Sequence, residues 1–350
     1  MAHKTSPAVP AQTSVPLDLK NRPRYSHEQL QQYFARINLP EQFRKSPIIN
    51  DASLAETKEH GLPLLKALHR YHVANIPFEN LELHYSAHKT ISLNMNVLFD
   101  KFVVRGIKHG RGGRCMENNG FFGTVLRSLG YDVRNCAGRV SRMWNPNAET
   151  REQFGDTYDG WNHMLNLVKL ENQRYIVDVG MGSMGPAIVY PLEDGWEGVA
   201  VAPRKIRLQS RPIPETYGRG DDAPKLWCFD QCLVPDVPGK DKWIPTYCFT
   251  ETEFLPQDYE MMSFFTSNNP SVFFTYSLIC TKLLVDDEKE AVVGDVTLFN
   301  NVVRKTVGGK RDEPQELKTE EERVKVLKDV LKVELTEEEQ NGLPADKKLN

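Results

Sequence analysis

Residues 105–130 read RGIKHGRGGRCMENNGFFGTVLRSLG, and the setting of the one cysteine in this stretch decides what the chain is built around. A glycine-rich loop runs into Cys115. Phe121, Phe122, Val125, Leu126 and Leu129 then follow at helical spacing, so the pattern predicts a helix that opens at the cysteine. Unpaired backbone N–H groups and the macrodipole at a helix start favour an anion, and the thiolate is the nucleophilic form of cysteine. Cys136, Cys228, Cys232, Cys248 and Cys280 lack this setting and read as inert core thiols.

A thiol nucleophile needs a base, and the base needs a group that holds its tautomer and stabilises its charge. His163 opens an apparent strand, HMLNLVKL, and Asp178 closes the next, RYIVDVG, with Glu171 and Asn172 between them. A turn centred between Leu170 and Glu171 would set His163 directly opposite Asp178. A small register shift would make the two diagonal neighbours, still within reach. His109 is a rival base without an acidic partner, and His69 and His72 read as packing or surface groups of a helix.

Working outward, SHEQLQQYFARINL (26–39) predicts an amphipathic helix capped by Ser26, and SLAETKEHGLPLLKALHRYHVANI (53–76) a second that ends before Pro77. Residues 1 to about 25 have the Pro/Ser/Thr composition of a flexible leader. Period-two patterns after Leu129 predict antiparallel strands. Pro191 to Lys242, rich in Pro and Gly, reads as a loop-rich insertion. After Val272 more strands are expected in FFTYSLIC and AVVGDVTLF, and EERVKVLKDVLKVEL (321–335) reads as a helix.

The 350 residues suffice for two or three packed units. With Lys+Arg 44 against Asp+Glu 47, the net charge of -3 gives no general attraction to nucleic acid or anionic membrane. The six cysteines show neither a CxxC pair nor zinc-ligand spacing, so no metal site and a reducing compartment are expected. No signal peptide or spanning segment is visible, and a cytoplasmic location follows as the expectation.

RGGRCMENN resembles the RGGxCxExN signature of the arylamine N-acetyltransferase family, matched by Arg111, Gly112, Gly113, Cys115, Glu117 and Asn119. In order around it, ALHRYHVANIPFENLELH (67–84) is similar to the family's PFENL segment, and HMLNLVKLENQRYIVDVGMG (163–182) to its catalytic His and DxGxG strands. SNNPSVFF (267–274) and the last predicted helix resemble its third domain. The chain looks most like the fungal branch, in which some members transfer malonyl groups. The resemblance implies an α+β fold with a papain-like Cys-His-Asp triad: a helical bundle over 26–130, a β-barrel over 131–250 carrying the insertion, and an α/β lid with a C-terminal helix over 251–350. Cys115 would accept the acyl group, His163 act as base and Asp178 orient it, in a ping-pong reaction. Acetyl-CoA or malonyl-CoA would be the cosubstrate, with no tightly bound cofactor, and the acceptor a small arylamine or hydrazine. Arg111 and Glu117 would form a structural pair.

Two departures bear on substrate choice. Arg114 stands where the family commonly has an apolar residue, and Met181 where it often has an aromatic one. An Arg114 facing the site could bond the carboxylate of a malonyl group; otherwise it turns to solvent or pairs with a nearby carboxylate. Asp159 and Gly160, before the His strand, and Gly182 with the other glycines of GMGSMG are the cues for substrate contact. The triad alone also fits a papain-like or transglutaminase-like thiol enzyme, and the fold a non-catalytic binding protein.

Overall fold

A computed structural model describes residues 22–239 and 241–349. Residues 1–21, most of the expected leader, lie outside the described residues. Tyr25, at the leader's expected end, belongs to the core instead: its ring packs 5.0 Å from that of Phe99 and 5.4 Å from that of Phe121.

Helices come first. In α1 (His27–Arg36) Ser26 and Gln29 cap each other reciprocally, and Leu30, Tyr33 and Phe34 are buried. The next long helix, α2 (Lys58–Asn75), starts later than the sequence pattern predicts. Thr57 caps it by accepting from the His60 N–H, and Ala52–Glu56 form a separate 3-10 turn. Both helices pack around α3 (Cys115–Ser128), whose Phe121, Phe122, Val125 and Leu126 are fully buried. Burying these large apolar side chains fixes the direction of α3 and with it the position of its first residue.

The chain then leaves a two-residue strand, β1 (Phe78–Glu79), outside the main sheet and builds that sheet from β2 (Asp132–Val140), β3 (His163–Leu170), β4 (Gln173–Val177), β5 (Tyr190–Pro191), β6 (Glu197–Val199), β7 (Lys205–Arg211), β8 (Leu226–Cys232) and β9 (Trp243–Glu253). All pairings are antiparallel, in the order β5-β4-β3-β2-β9-β8-β7-β6. The sheet curls until side chains from its two ends share one core: Tyr190 stacks on Trp196 at 4.9 Å and lies 6.0 Å from Phe229. Its edge strands β5 and β6 do not pair with each other.

Three of these strands, β6, β7 and β8, come from the segment read as a loop-rich insertion. Its prolines and glycines fall between strands, and KIRLQSR and LWCFDQC carry enough alternation to pair in register. A second sheet contains β1, β10 (Ile279–Asp286), β11 (Ala291–Phe299) and β12 (Val302–Val307). Against it packs α4 (Glu320–Asp329), through Val326 and Leu327. The helix expected to run to Leu335 stops at Asp329, and Lys332 takes a left-handed φ of 61°.

Candidate active site

Cys115 owes its position to a close approach of two backbones. The Gly113 N–H donates to the Pro77 carbonyl at 3.2 Å and the Glu79 N–H donates to the Gly113 carbonyl at 3.1 Å, clamping the glycine loop onto β1. A Cβ on Gly112 would sit 1.9 Å from the Pro77 oxygen, so only glycine permits this clamp. Because β1 also pairs with β10, the PFEN segment ties the glycine loop before Cys115 to both the helices and the second sheet. Arg114 is the extended N-cap residue, and α3 begins at Cys115.

Buried ions fix the loop further. The Glu117 carboxylate accepts from the Arg114 backbone N–H at 2.9 Å and from Lys101 Nζ at 2.8 Å. Lys101 also reaches Glu82 at 3.1 Å, while Arg111 pairs with Glu79 at 3.2 Å, with Glu82 at 3.5 Å and with Glu339. The pairing expected between Arg111 and Glu117 is therefore corrected: both are structural, but each has other partners. Two cations among several carboxylates satisfy one another where a single one left over would be costly.

His163 begins β3 and Asp178 lies just beyond β4. Leu170 pairs with Gln173 and Asn166 with Val177, so the turn is Glu171–Asn172 and the two residues are diagonal rather than directly opposed. Asp178 Oδ2 lies 2.8 Å from His163 Nε2. That leaves Nδ1 for the Cys115 thiol, which also favours the charged imidazole. His163 is 1% exposed, Asp178 2% and Cys115 8%. Burial opposes the charged ring, but the Asp178 carboxylate and the cysteine outweigh it, and the imidazole is pushed up to about 10. For Asp178 burial again works against charge; His163, Asn119 and the Gly180 N–H prevail and hold the carboxyl below its usual range.

Asn119, one helical turn after Cys115, joins the pieces. Its Nδ2 donates to Asp178 Oδ1 at 2.9 Å and to the Met164 carbonyl at 2.6 Å, and its Oδ1 accepts from the Val179 N–H at 3.0 Å. The Gly180 N–H completes the carboxylate at 2.8 Å. His69, read as a packing or surface group, instead lies 2.9 Å through Nε2 from the Asp178 carbonyl; burial lowers it to about 4, so it is neutral and donates. The Tyr247 ring lies 4.9 Å from that of His163. Asn119 was visible in the motif without a role, whereas nothing local in the sequence marks His69 or Tyr247.

Gly180 is the tightest point. An added Cβ would fall 2.7 Å from Cys115 Cα, 2.8 Å from the Cys115 carbonyl oxygen and 2.4 Å from Asn119 Nδ2. Backbone atoms cannot give way cheaply, so Gly180→Ala is expected to displace β4 from α3. Any activity of this site should fall at least roughly tenfold, as small misplacements at reacting centres do. Wild-type kcat/KM in the variant would show that this contact is slack.

The other anticipated residues spread over two places. Asp159 and Gly160 stand in the loop before His163: Asp159 accepts from Arg142 Nε at 3.0 Å and Asn162 Nδ2 at 3.2 Å, and Gly160 is open. That loop reaches the site through the Asn162 carbonyl, 3.7 Å from Cys115 Sγ. Met181 and Gly182 line a narrow cavity with Asp178, Val73, Phe78 and Leu283. Arg114 takes neither of its anticipated alternatives to the site: it is buried away from solvent, and no carboxylate among the described residues lies within 4.0 Å of its guanidinium.

The N-acetyltransferase family model matches residues 61–340. The chain is 57% identical over 330 residues to N-malonyltransferase FDB2 of Fusarium pseudograminearum, covering 94% of this chain and 95% of that one. It is 30% identical over 260 residues to the arylamine N-acetyltransferase of Escherichia coli, covering 74% and 75%. The structure of Mycobacterium marinum arylamine N-acetyltransferase in complex with CoA superimposes with a TM-score of 0.66 at 25% identity, over 91% of this chain and 96% of that one. A helix-borne cysteine, an α+β fold and agreement over most of the length converge, and the chain belongs to the arylamine N-acetyltransferase family.

Proposed function

We propose that the protein transfers an acetyl or malonyl group from acyl-CoA to the nitrogen of an arylamine or hydrazine, through a thioester on Cys115. The observation that carries this reading is the Cys115–His163–Asp178 constellation at the start of α3. The Cys115 thiolate attacks the thioester carbonyl, backbone N–H groups at the helix start stabilise the oxyanion, and the CoA thiolate leaves as imidazolium gives up its proton. The amine then attacks the acyl-cysteine, His163 takes its proton, and collapse yields the amide and free Cys115. Kinship with an N-malonyltransferase and with an acetyltransferase that binds CoA supports this chemistry. Asp159, Gly160, Met181 and Gly182 are proposed substrate contacts.

The same reading takes 26–130, 131–250 and 251–350 as the three structural units, supported by a separate apolar cluster centred in each. A cytoplasmic location and small-molecule partners accord with it. No described helix is long and apolar enough to cross a membrane.

Protein mixed with donor alone should release about one equivalent of CoA and gain one acyl group, found by peptide mass spectrometry on Cys115. No adduct, or continued CoA release without amine, would defeat the transferase reading. Burial pushes the thiols of Cys136 and Cys228 up to about 12 and about 11, so these positions should stay unmodified.

A further inference from the structure

Arg114 is 4% exposed, and among the described residues the hydrogen-bond partners of its guanidinium are all neutral. Nη1 donates to Thr266 Oγ1 at 3.2 Å; Nη2 donates to Ser267 Oγ at 2.6 Å and to Ser263 Oγ at 3.5 Å. The Phe274 ring covers it, with the guanidinium carbon 5.2 Å from the centroid. Nε is buried without a partner among the described residues. Buried Arg36 and half-buried Arg204 also lack a carboxylate partner among the described residues, but each donates to two backbone carbonyls. Glu117, the nearest acid in sequence, is already engaged by Lys101 and by the Arg114 backbone. A buried cation held only by hydroxyls is an expensive arrangement unless an anion completes it.

The direction in which that anion arrives follows from the helix Pro256–Asn268. Tyr259 and Met262 belong to the same apolar cluster as Cys115, and Ser263, Thr266 and Ser267 on the same and following turns hold Arg114. The guanidinium and the nucleophile thus face neighbouring turns of one helix. Thr266 satisfies its own hydroxyl hydrogen on the Met262 carbonyl, so its oxygen is left to accept and to fix the fork.

We infer that Arg114, set by Ser263, Thr266 and Ser267, recognises a carboxylate at the far end of a short acyl chain carried on Cys115, making malonyl-type thioesters preferred donors over acetyl. This rests on the acyl-thioester reading of Cys115. An uncharged acyl group leaves the guanidinium unpaired, whereas a carboxylate bonds it in a forked, charge-assisted geometry. A site built for a polar group rejects the analogue lacking it far better than an apolar site rejects a small change in size.

The test compares kcat/KM for malonyl-, propionyl- and acetyl-CoA, with an uncharged arylamine, in the wild type and in Arg114→Met, Arg114→Lys and Ser267→Ala. Propionyl matches much of the bulk without the charge. The wild type should favour malonyl over both others by about ten- to a hundredfold, and Arg114→Met should lower the malonyl-to-acetyl ratio by a similar factor. Arg114→Lys should retain part of the preference. Thermal melting without ligand should not fall in Arg114→Met, because the replaced charge was unpaired; a structural arginine would lose stability there. Should that variant fail to fold, Ser267→Ala, at a half-buried position, should still lower the ratio severalfold. An unchanged ratio in Ser267→Ala and Arg114→Met, equal loss with every donor, or a wild-type preference for acetyl would overturn the inference. Normal adducts with an unchanged ratio would overturn it alone; no adduct from any donor would remove the thioester reading as well.

Discussion

Cys115→Ala is expected to reduce acyl transfer by on the order of 10⁴- to 10⁶-fold, the scale on which removing a covalent nucleophile acts. The loss should be chemical rather than structural. Sγ meets the Asn162 carbonyl at 3.7 Å and the His163 imidazole, neither of which holds the backbone of the helix, while the residues that hold the start of α3 are Glu117, Lys101 and the glycines of the loop. Removing one buried sulfur costs about 1 kcal/mol or somewhat more, a shift of a few degrees at most in the melting temperature of a chain this size. Cys136, Cys228, Cys248 and Cys280 are poor substitutes, since burial raises their thiols. Intact-mass measurement after mixing with donor should therefore show an adduct on the wild type and none on the variant. An adduct that persists in Cys115→Ala would place the nucleophile elsewhere.

The reach of sequence reading differs among the parts of this site. The start of α3 was legible because a helix cap is a local event, written in the residues flanking Cys115. The hairpin was legible to within one step of register, because Leu170 and Gln173 bracket a short turn and the strands leave it as a pair. Residues 191–242 were misread, since prolines and glycines between strands dominate the composition while KIRLQSR and LWCFDQC supply the pairing.

Contacts between distant segments were not legible at all. His69 touches Asp178 across 109 positions, and Arg114 meets Ser267 across 153. No local periodicity encodes such a meeting. The burial of Arg114 in particular reverses the ordinary expectation for arginine, and it could be recognised only once the helix Pro256–Asn268 was in place.

Asp178→Asn should lower turnover by on the order of 10³- to 10⁴-fold, through the tautomer it imposes. Asp178 Oδ1 accepts from two donors, Asn119 Nδ2 and the Gly180 N–H, so an asparagine must turn its oxygen toward them. Its amide nitrogen then points at His163 Nε2 and donates to it. Nε2 becomes an acceptor, the ring's proton moves to Nδ1, and the face toward Cys115 can no longer accept from the thiol. The charge is lost with the tautomer, since burial then works on the imidazole without the carboxylate that outweighed it. The pH dependence of stability carries the same signature. His163 is raised from 6.5 to about 10 in the fold, so its contribution is complete below about 6.5 and disappears as pH rises toward 10. Asp178 is lowered from 3.8, so its contribution holds above that value and is lost as pH falls through the depressed pKa. The gap in melting temperature between wild type and Asp178→Asn should therefore be widest at about pH 5 to 6 and narrow by about pH 9 to 10. Near-normal single-turnover acylation in the variant, or a gap independent of pH, would show that the Asp178–His163 contact is not what charges the ring.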